Sequence, residues 1–163
     1  MLIAAINGAS IGWGCTQLAN FDLVYAAEEA WFQTPFMSLG LVPEGSSSYT
    51  FPNTMGKAHA NRFLLAAEKV PAHDAYISGL VTQVIPGTKE EFLAKVCEKA
   101  KHLATFSGES LKMAKALSNR PTELAKHREQ GVLEGYSLQT RANSADSKAM
   151  VKQFTDKAGK SKI

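Results

Sequence analysis

The chain has 163 residues, 45% of them hydrophobic, and its 18 basic and 15 acidic side chains leave a net charge of +3. That is enough apolar content for one core and one domain, and the charges are interspersed rather than gathered into the basic block that nucleic-acid binding would use. No stretch is long and apolar enough for a membrane span, and no internal repeat or heptad run occurs.

In chain order, Leu2 to Ile6 reads as a short buried strand, followed by a glycine-rich turn through Gly8, Gly12 and Gly14 and a helix of about Trp13 to Asn20. Leu23 to Ala26, Trp31 to Gln33 and Val81 to Ile85 read as further extended pieces. Lys57 to Ala67 is helical by composition, and Pro71 opens another helix that Gly79 closes. Thr88-Lys89-Glu90-Glu91 is a capping-box pattern, with Phe92, Leu93, Val96, Ala100 and Leu103 on one face behind it. Three helices follow, about Ser110 to Ser118, Thr122 to Arg141 and Ala145 to Ala158, the second weakened by Gly131 and Gly135. Phe63, Leu64, Phe92, Leu133, Tyr136 and Phe154 are expected in the core or at subunit contacts.

The chemistry-bearing residues are few. Cys15 and Cys97 form no Cys-x-x-Cys pair and are read as small buried hydrophobes, not as a disulfide or metal site. His59, His73, His102 and His127 have no ligand partners at metal spacing, so no metal is expected. Ser46 to Ser48 lack a Gly-x-Ser-x-Gly elbow and are read as turn and helix-start residues. Lys152, Lys157, Lys160 and Lys162 fit a solvated tail, with contact to the phosphates of a ligand as the alternative.

Glu44 is different. Pro43-Glu44-Gly45 places one carboxylate between the apolar run Phe36 to Val42 and the serine cluster. It could offset the positive end of a helix, or it could act as a base in an apolar pocket. Gly12-Trp13-Gly14 is equally open locally: an ordinary strand-turn-helix joint, or a helix start whose free N–H groups favour an oxyanion.

Three segments together narrow this: Ile3-Ala4-Ala5-Ile6-Asn7-Gly8-Ala9-Ser10-Ile11-Gly12-Trp13-Gly14-Cys15, Phe21-Asp22-Leu23-Val24-Tyr25-Ala26, and Leu39-Gly40-Leu41-Val42-Pro43-Glu44-Gly45. They resemble the crotonase superfamily, the enoyl-CoA hydratases and isomerases, in register from Leu2 to about Val84. The resemblance implies an α/β fold, a crotonase-like spiral of ββα units followed by C-terminal oligomerisation helices. It divides the chain into a part of the core at residues 1–106, trimerisation helices at 107–157 and a tail at 158–163. Met1 stands where members of the family continue from a Lys-Pro pair. A fragment, an alternative product or an incomplete gene model is therefore expected, lacking the Ala-Phe-Ser-x-Gly type of segment with a second oxyanion donor and much of the CoA-adenine pocket.

The two glutamates of the family's hydratases fall on Thr16 and Phe36, neither of which can activate water or deliver a proton near neutral pH. The peroxisomal-type Δ3,Δ2-enoyl-CoA isomerases carry one glutamate in a Pro-Glu-Gly turn, where Glu44 stands. Shifting a double bond from C3 to C2 of an acyl thioester removes a proton from C2 and returns one at C4, so a single base serves both steps, while backbone N–H donors hold the dienolate oxygen. The resemblance implies Glu44 as proton shuttle, the Trp13 N–H as one oxyanion donor, and Gly12, Gly14, Pro35, Phe36, Leu39 and Leu41 along the substrate. It implies an acyl-CoA substrate without a separate cofactor, and a homotrimer or hexamer. The alternatives are a hydratase, a specialised acyl-CoA biosynthetic enzyme, or a non-catalytic module that binds CoA or a protein, as in chromatin corepressors of the superfamily. Ser161-Lys162-Ile163 differs in its last residue from the peroxisomal address Ser-Lys-Leu, so import receptor binding and a peroxisomal location are expected.

Overall fold

In the computed structural model, which describes residues 1–118 and 121–160, two small sheets are built in step. The first pairs β1 (Ile3–Ile6) with β3 (Leu23–Ala27) and β3 with β6 (Gln83–Ile85), all parallel. The second pairs β2 (Ala9–Ile11) with β4 (Trp31–Gln33) in parallel, and β4 with β5 (Val70–Pro71) in antiparallel. Each passage from one sheet to the other is a few residues long, so β1-β2 and β3-β4 are successive turns of one spiral. Register runs Ala4 to Val24 in the first sheet and Ser10 to Phe32 in the second.

β3 lies between two parallel neighbours, and its residues after Leu23 are all buried. This is why it is a nearly continuous apolar run rather than an alternating one. Phe32, Phe51, Phe63, Val70, Phe92 and Ile85 fill the core behind it, with Phe51 meeting Phe63 edge to face at 5.5 Å between centroids. The crotonase-like spiral implied by the resemblance is the observed architecture, followed by a helical C-terminal part.

Several elements differ from the sequence reading. β2 lies within the glycine-rich turn expected from the sequence. Its exposed residues are Ala9 and Ile11, and its buried one is Ser10, which inverts the usual pattern; the Ser10 hydroxyl is satisfied by donating to the Gly14 carbonyl at 2.8 Å. The first helix is split into α1 (Trp13–Thr16) and a 3-10 turn over Gln17–Asn20. α2 begins at Ser47, well before Lys57, and runs to Leu64 through Pro52, with a kink at Gly56, where φ is +73°. β5 is too short for its alternation to show.

α3 (Ala72–Ile77) and α4 (Lys89–Leu103) follow the sequence signals. Gly79 adopts φ +90° after α3. Thr88 and Glu91 form the reciprocal capping box, and Phe92 and Val96 are the buried face of α4. α5 (Gly108–Ser118) is tied to the start of β3 by Lys115 and Asp22 at 2.7 Å. α6 (Pro121–Ala142) and α7 (Ala145–Lys160) complete the described chain. No described helix is long and apolar enough to cross a membrane.

Phe63, Leu64 and Phe92 are in the core, whereas Leu133, Tyr136 and Phe154 are exposed on α6 and α7. Ser161, Lys162 and Ile163 lie outside the described residues. The two cysteines also divide: Cys15 is fully buried and Cys97 is exposed on the outer side of α4. The expectation of two buried thiols fails at Cys97, because only Phe92 and Val96 of that helix turn inward. Burial pushes the Cys15 thiol up to about 12, with the Glu44 charge adding to the rise and a backbone hydrogen bond at Gln33 opposing it. Iodoacetamide at neutral pH should therefore label Cys97 and spare Cys15 in the native protein. Peptide mapping after a short reaction checks this, and equal labelling of both thiols would contradict it.

Candidate functional site

The candidate site is built where the helix start after β2 meets the turn before α2. Gly12 holds φ +56° and ψ −125°, a conformation open to glycine, and its N–H donates to the Gln33 carbonyl at 2.9 Å, which anchors the turn to β4. Cys15 and Thr16 donate back to the Gly12 carbonyl at 2.9 and 3.0 Å. Trp13 and Gly14 are the first residues of α1, so their N–H groups have no acceptor inside the helix. A cavity of about 450 Å³ runs along β1, β2 and Gly14, with Asn7, Ser10 and Gln17 on its wall. A larger cavity, about 950 Å³, lies at Met1, Asp22 and α5 and contains none of the candidate residues.

Glu44 reaches this helix start from the other side. Thr16 Oγ1 donates to Glu44 Oε1 at 2.9 Å, with the Trp13 carbonyl as a second, longer acceptor at 3.4 Å. Gly45 follows at φ +69°. A Cβ there would stand 2.9 Å from Cζ3 of the Trp13 ring and 3.0 Å from Thr16 Oγ1. The Pro43-Glu44-Gly45 turn and the Gly12-Trp13-Gly14 turn, about thirty residues apart in sequence, are thus in contact through Trp13 and Thr16. Burial pushes the Glu44 carboxyl above the ordinary glutamate range, the Thr16 hydroxyl opposes that rise, and the charge of Glu134 adds to it.

Glu134 was not singled out from the sequence. It is 5% exposed on α6. Its Oε2 accepts the Ser46 N–H at 2.6 Å, and its Oε1 accepts the Ser48 N–H at 2.8 Å and the Ser48 hydroxyl at 2.5 Å. Gln130 Nε2 donates to Ser48 Oγ at 2.8 Å, and Ser46 Oγ donates to the His127 carbonyl at 3.1 Å. α6 comes this close because Gly131 has no side chain: a Cβ would sit 2.7 Å from Ser46 Oγ. The signal available in the sequence was that glycine. A glycine inside a helix costs roughly 1 kcal/mol against alanine, and such a residue calls for a close-packing reason.

The remaining candidates are placed less uniformly. Phe36 is packed into the core at 4% exposed rather than presented on an open surface. Pro35 precedes it, and both carbonyls accept the Leu39 N–H at 3.1 Å. Leu39 and Gly40 are held from outside: the Leu39 carbonyl accepts Ser147 Oγ at 3.2 Å and the Gly40 carbonyl accepts Arg141 Nε at 3.0 Å. Leu41 borders a groove of about 410 Å³ shared with Arg141 and Met150. The structure therefore brings Gly12, Trp13, Gly14 and Glu44 together, with Thr16 between them, while Phe36 is packed in the core and Leu39 and Leu41 meet α7. Among the described residues, no cluster of His, Cys, Asp and Glu could hold a metal ion.

Sequence and structure comparisons identify the family. The profile of the enoyl-CoA hydratase/isomerase family matches residues 1–161, and the chain belongs to that family, within the crotonase superfamily. The chain is 42% identical over 116 residues to enoyl-CoA delta isomerase 2 of Rattus norvegicus, covering 71% of this chain and 29% of that protein. It is 44% identical over 117 residues to testis-specific chromodomain protein Y 2 of Homo sapiens, covering 71% of this chain and 21% of that protein. The crystal structure of an enoyl-CoA hydratase/isomerase from Pseudoalteromonas atlantica T6c superposes with a TM-score of 0.89 at 35% identity, covering 95% of this chain and 61% of that one. The chain thus spans under a third of these two curated relatives.

Two outcomes follow from the geometry. Because the fold disfavours ionised Glu44, its contribution to stability is full below the ordinary glutamate pKa and is lost as pH rises through the raised folded value. Glu44→Gln should accordingly melt at a higher temperature than the parent at neutral pH, with the gain vanishing in acid; a gain that does not change with pH would contradict the burial argument. Gly45→Ala should lose about 1–3 kcal/mol in urea unfolding, from a left-handed backbone and a clash with Trp13, and should change the native tryptophan emission.

Proposed function

We propose that this chain carries the proton-shuttle part of a Δ3,Δ2-enoyl-CoA isomerase. The observation that carries the reading is one carboxylate, Glu44, facing the α1 helix start through Thr16, while the two positions where the family's hydratases have glutamates hold Thr16 and Phe36. In this reading Glu44 takes the proton from C2 of a 3-enoyl-CoA. The electrons left behind delocalise to the thioester oxygen, where the Trp13 N–H donates, and the protonated Glu44 returns a proton at C4 to give trans-2-enoyl-CoA. The raised carboxyl supports both steps, because a base that must also give its proton back works best with a pKa nearer the operating pH. Assembly through the exposed apolar residues of α5 to α7, such as Met113, Leu117, Tyr136 and Phe154, import through Ser161-Lys162-Ile163 and action in peroxisomal β-oxidation belong to the same proposal.

A second reading is a non-catalytic acyl-CoA or protein-binding module. What favours it is the similarity to the chromodomain-named relative, at an identity as high as that to the isomerase. The presence of Glu44, with an environment that raises its carboxyl, favours catalysis.

The assay follows formation of the conjugated thioester from a 3-enoyl-CoA by ultraviolet absorbance, using the chain and the longest product of its gene. Glu44→Gln should lower turnover at least about 10²-fold with acyl-CoA binding nearly unchanged. Thr16→Val should reduce turnover more modestly, since it removes a hydrogen bond to the base and not the base itself. Ordinary turnover in Glu44→Gln would sink the isomerase reading, and efficient hydration of trans-2-enoyl-CoA would favour a hydratase.

A further inference from the structure

Two glutamates compete for one helix end. Glu44 lies three residues before α2, where the unpaired N–H groups and the positive end of the helix would ordinarily draw a carboxylate. Glu134 occupies that place instead: it arrives from α6, takes the Ser46 and Ser48 N–H groups at 2.6 and 2.8 Å, and is held by the Ser48 hydroxyl. Ser46 itself makes no side-chain cap, because its hydroxyl is turned to the His127 carbonyl. Glu44 is left to face α1, where Thr16 is its hydrogen-bond donor.

We infer that Glu134 is a positioning residue for Glu44: by filling the N-terminus of α2 it keeps the Glu44 carboxylate off that helix and turned to the Trp13 turn, making α6 part of the functional site. The inference rests on the isomerase reading only in calling Glu44 the base. The placement itself comes from hydrogen bonds across 86 to 88 residues of sequence. Around these two carboxylates, the titratable groups are Cys15 on α1, whose thiol is affected by Glu44, and, along the α2–α6 contact, Tyr49 stacked on His127 at 6.5 Å between centroids and bonded to Glu123. Cys15 and Tyr49 carry no charge near neutral pH, and His127 and Glu123 are the same in parent and variant, so loss of the Glu134 charge is the change that Glu44 would register.

Glu134→Gln keeps the size and one carbonyl acceptor and removes the charge. It should lower the titration midpoint of Glu44, both because a neighbouring negative charge is gone and because the helix end is less well filled. The readout is the side-chain carboxyl carbon resonance of Glu44 in the 13C-labelled protein, assigned by its loss in Glu44→Gln, and it needs no enzymatic activity. A midpoint that moves down, with Ser46 and Ser48 amide resonances that now follow the Glu44 titration, supports the inference even if 3-enoyl-CoA is not isomerised, in which case only the isomerase reading falls; a lower midpoint to which those amides are indifferent reports the lost charge alone and overturns the inference. An unchanged midpoint overturns the inference whatever the activity. Should the variant not fold, hydrogen exchange on the unmodified protein decides: strong protection of the Ser46 and Ser48 amides supports the Glu134 contact, and exchange at the rate of an unstructured peptide overturns it.

Discussion

The anionic cap that Glu134 places on α2 is the contact on which the candidate site depends. A helix of this length presents several N–H groups at its start with no partner inside the helix, and Ser46, in the left-handed region at φ +61°, supplies no side-chain cap of its own. A carboxylate that is 5% exposed must in turn be fully hydrogen-bonded to be tolerated in the interior. Each need answers the other. Charge-assisted hydrogen bonds of this kind are roughly twice as strong as neutral ones, and removing one partner would leave either a buried charge or a bare helix end.

From that contact the rest of the site can be followed outward. Gly131 lets α6 approach Ser46, Gly45 lets the turn approach Trp13, and Gly12 lets the chain leave β2 and enter α1. Two close approaches, at Gly131 and Gly45, and one left-handed backbone turn, at Gly12, bring together a turn, a helix start and a C-terminal helix. The end of α6 and the start of α7 close the same region, with Arg141 of α6 on the Gly40 carbonyl and Ser147 of α7 on the Leu39 carbonyl, and a Cβ at Gly40 would stand 3.0 Å from the Ser147 Cα. The C-terminal helices therefore serve the site in this one chain, besides offering an apolar outer face.

Much of this was legible in the sequence where a local pattern dictates the outcome. The strands β3 and β4, the capping box at Thr88 and the helix end at Gly79 each carry their own signal, and the turn holding Glu44 stands out because an ionisable residue interrupts an apolar run. What was hidden is non-local. The serines at 46–48 mark a helix start, but the anion that caps it could not be read, because Glu134 lies 86 residues further along the chain from Ser48. β2 escaped because its buried residue is a serine whose hydroxyl finds the Gly14 carbonyl. Thr16 could be read only as a missing glutamate; its role as the donor to Glu44 exists only once α1 and the Pro-Glu-Gly turn are folded together.

That substitution has a chemical logic of its own. A second glutamate at position 16, within hydrogen-bond distance of Glu44, would place two carboxylates in one partly buried space, and like charges so close drive one of them to hold a proton. Such a pair suits a reaction with separate acid and base roles. A threonine hydroxyl instead gives one donor that can stabilise ionised Glu44 and can turn toward the Trp13 carbonyl when Glu44 is protonated, since both acceptors lie within 3.4 Å. Glu44 can then hold or release a proton without leaving a polar group unpaired. For a reaction that takes a proton and returns it within one encounter, similar stability of the two protonation states is the requirement, and a hydroxyl with two acceptors meets it more directly than a second charge.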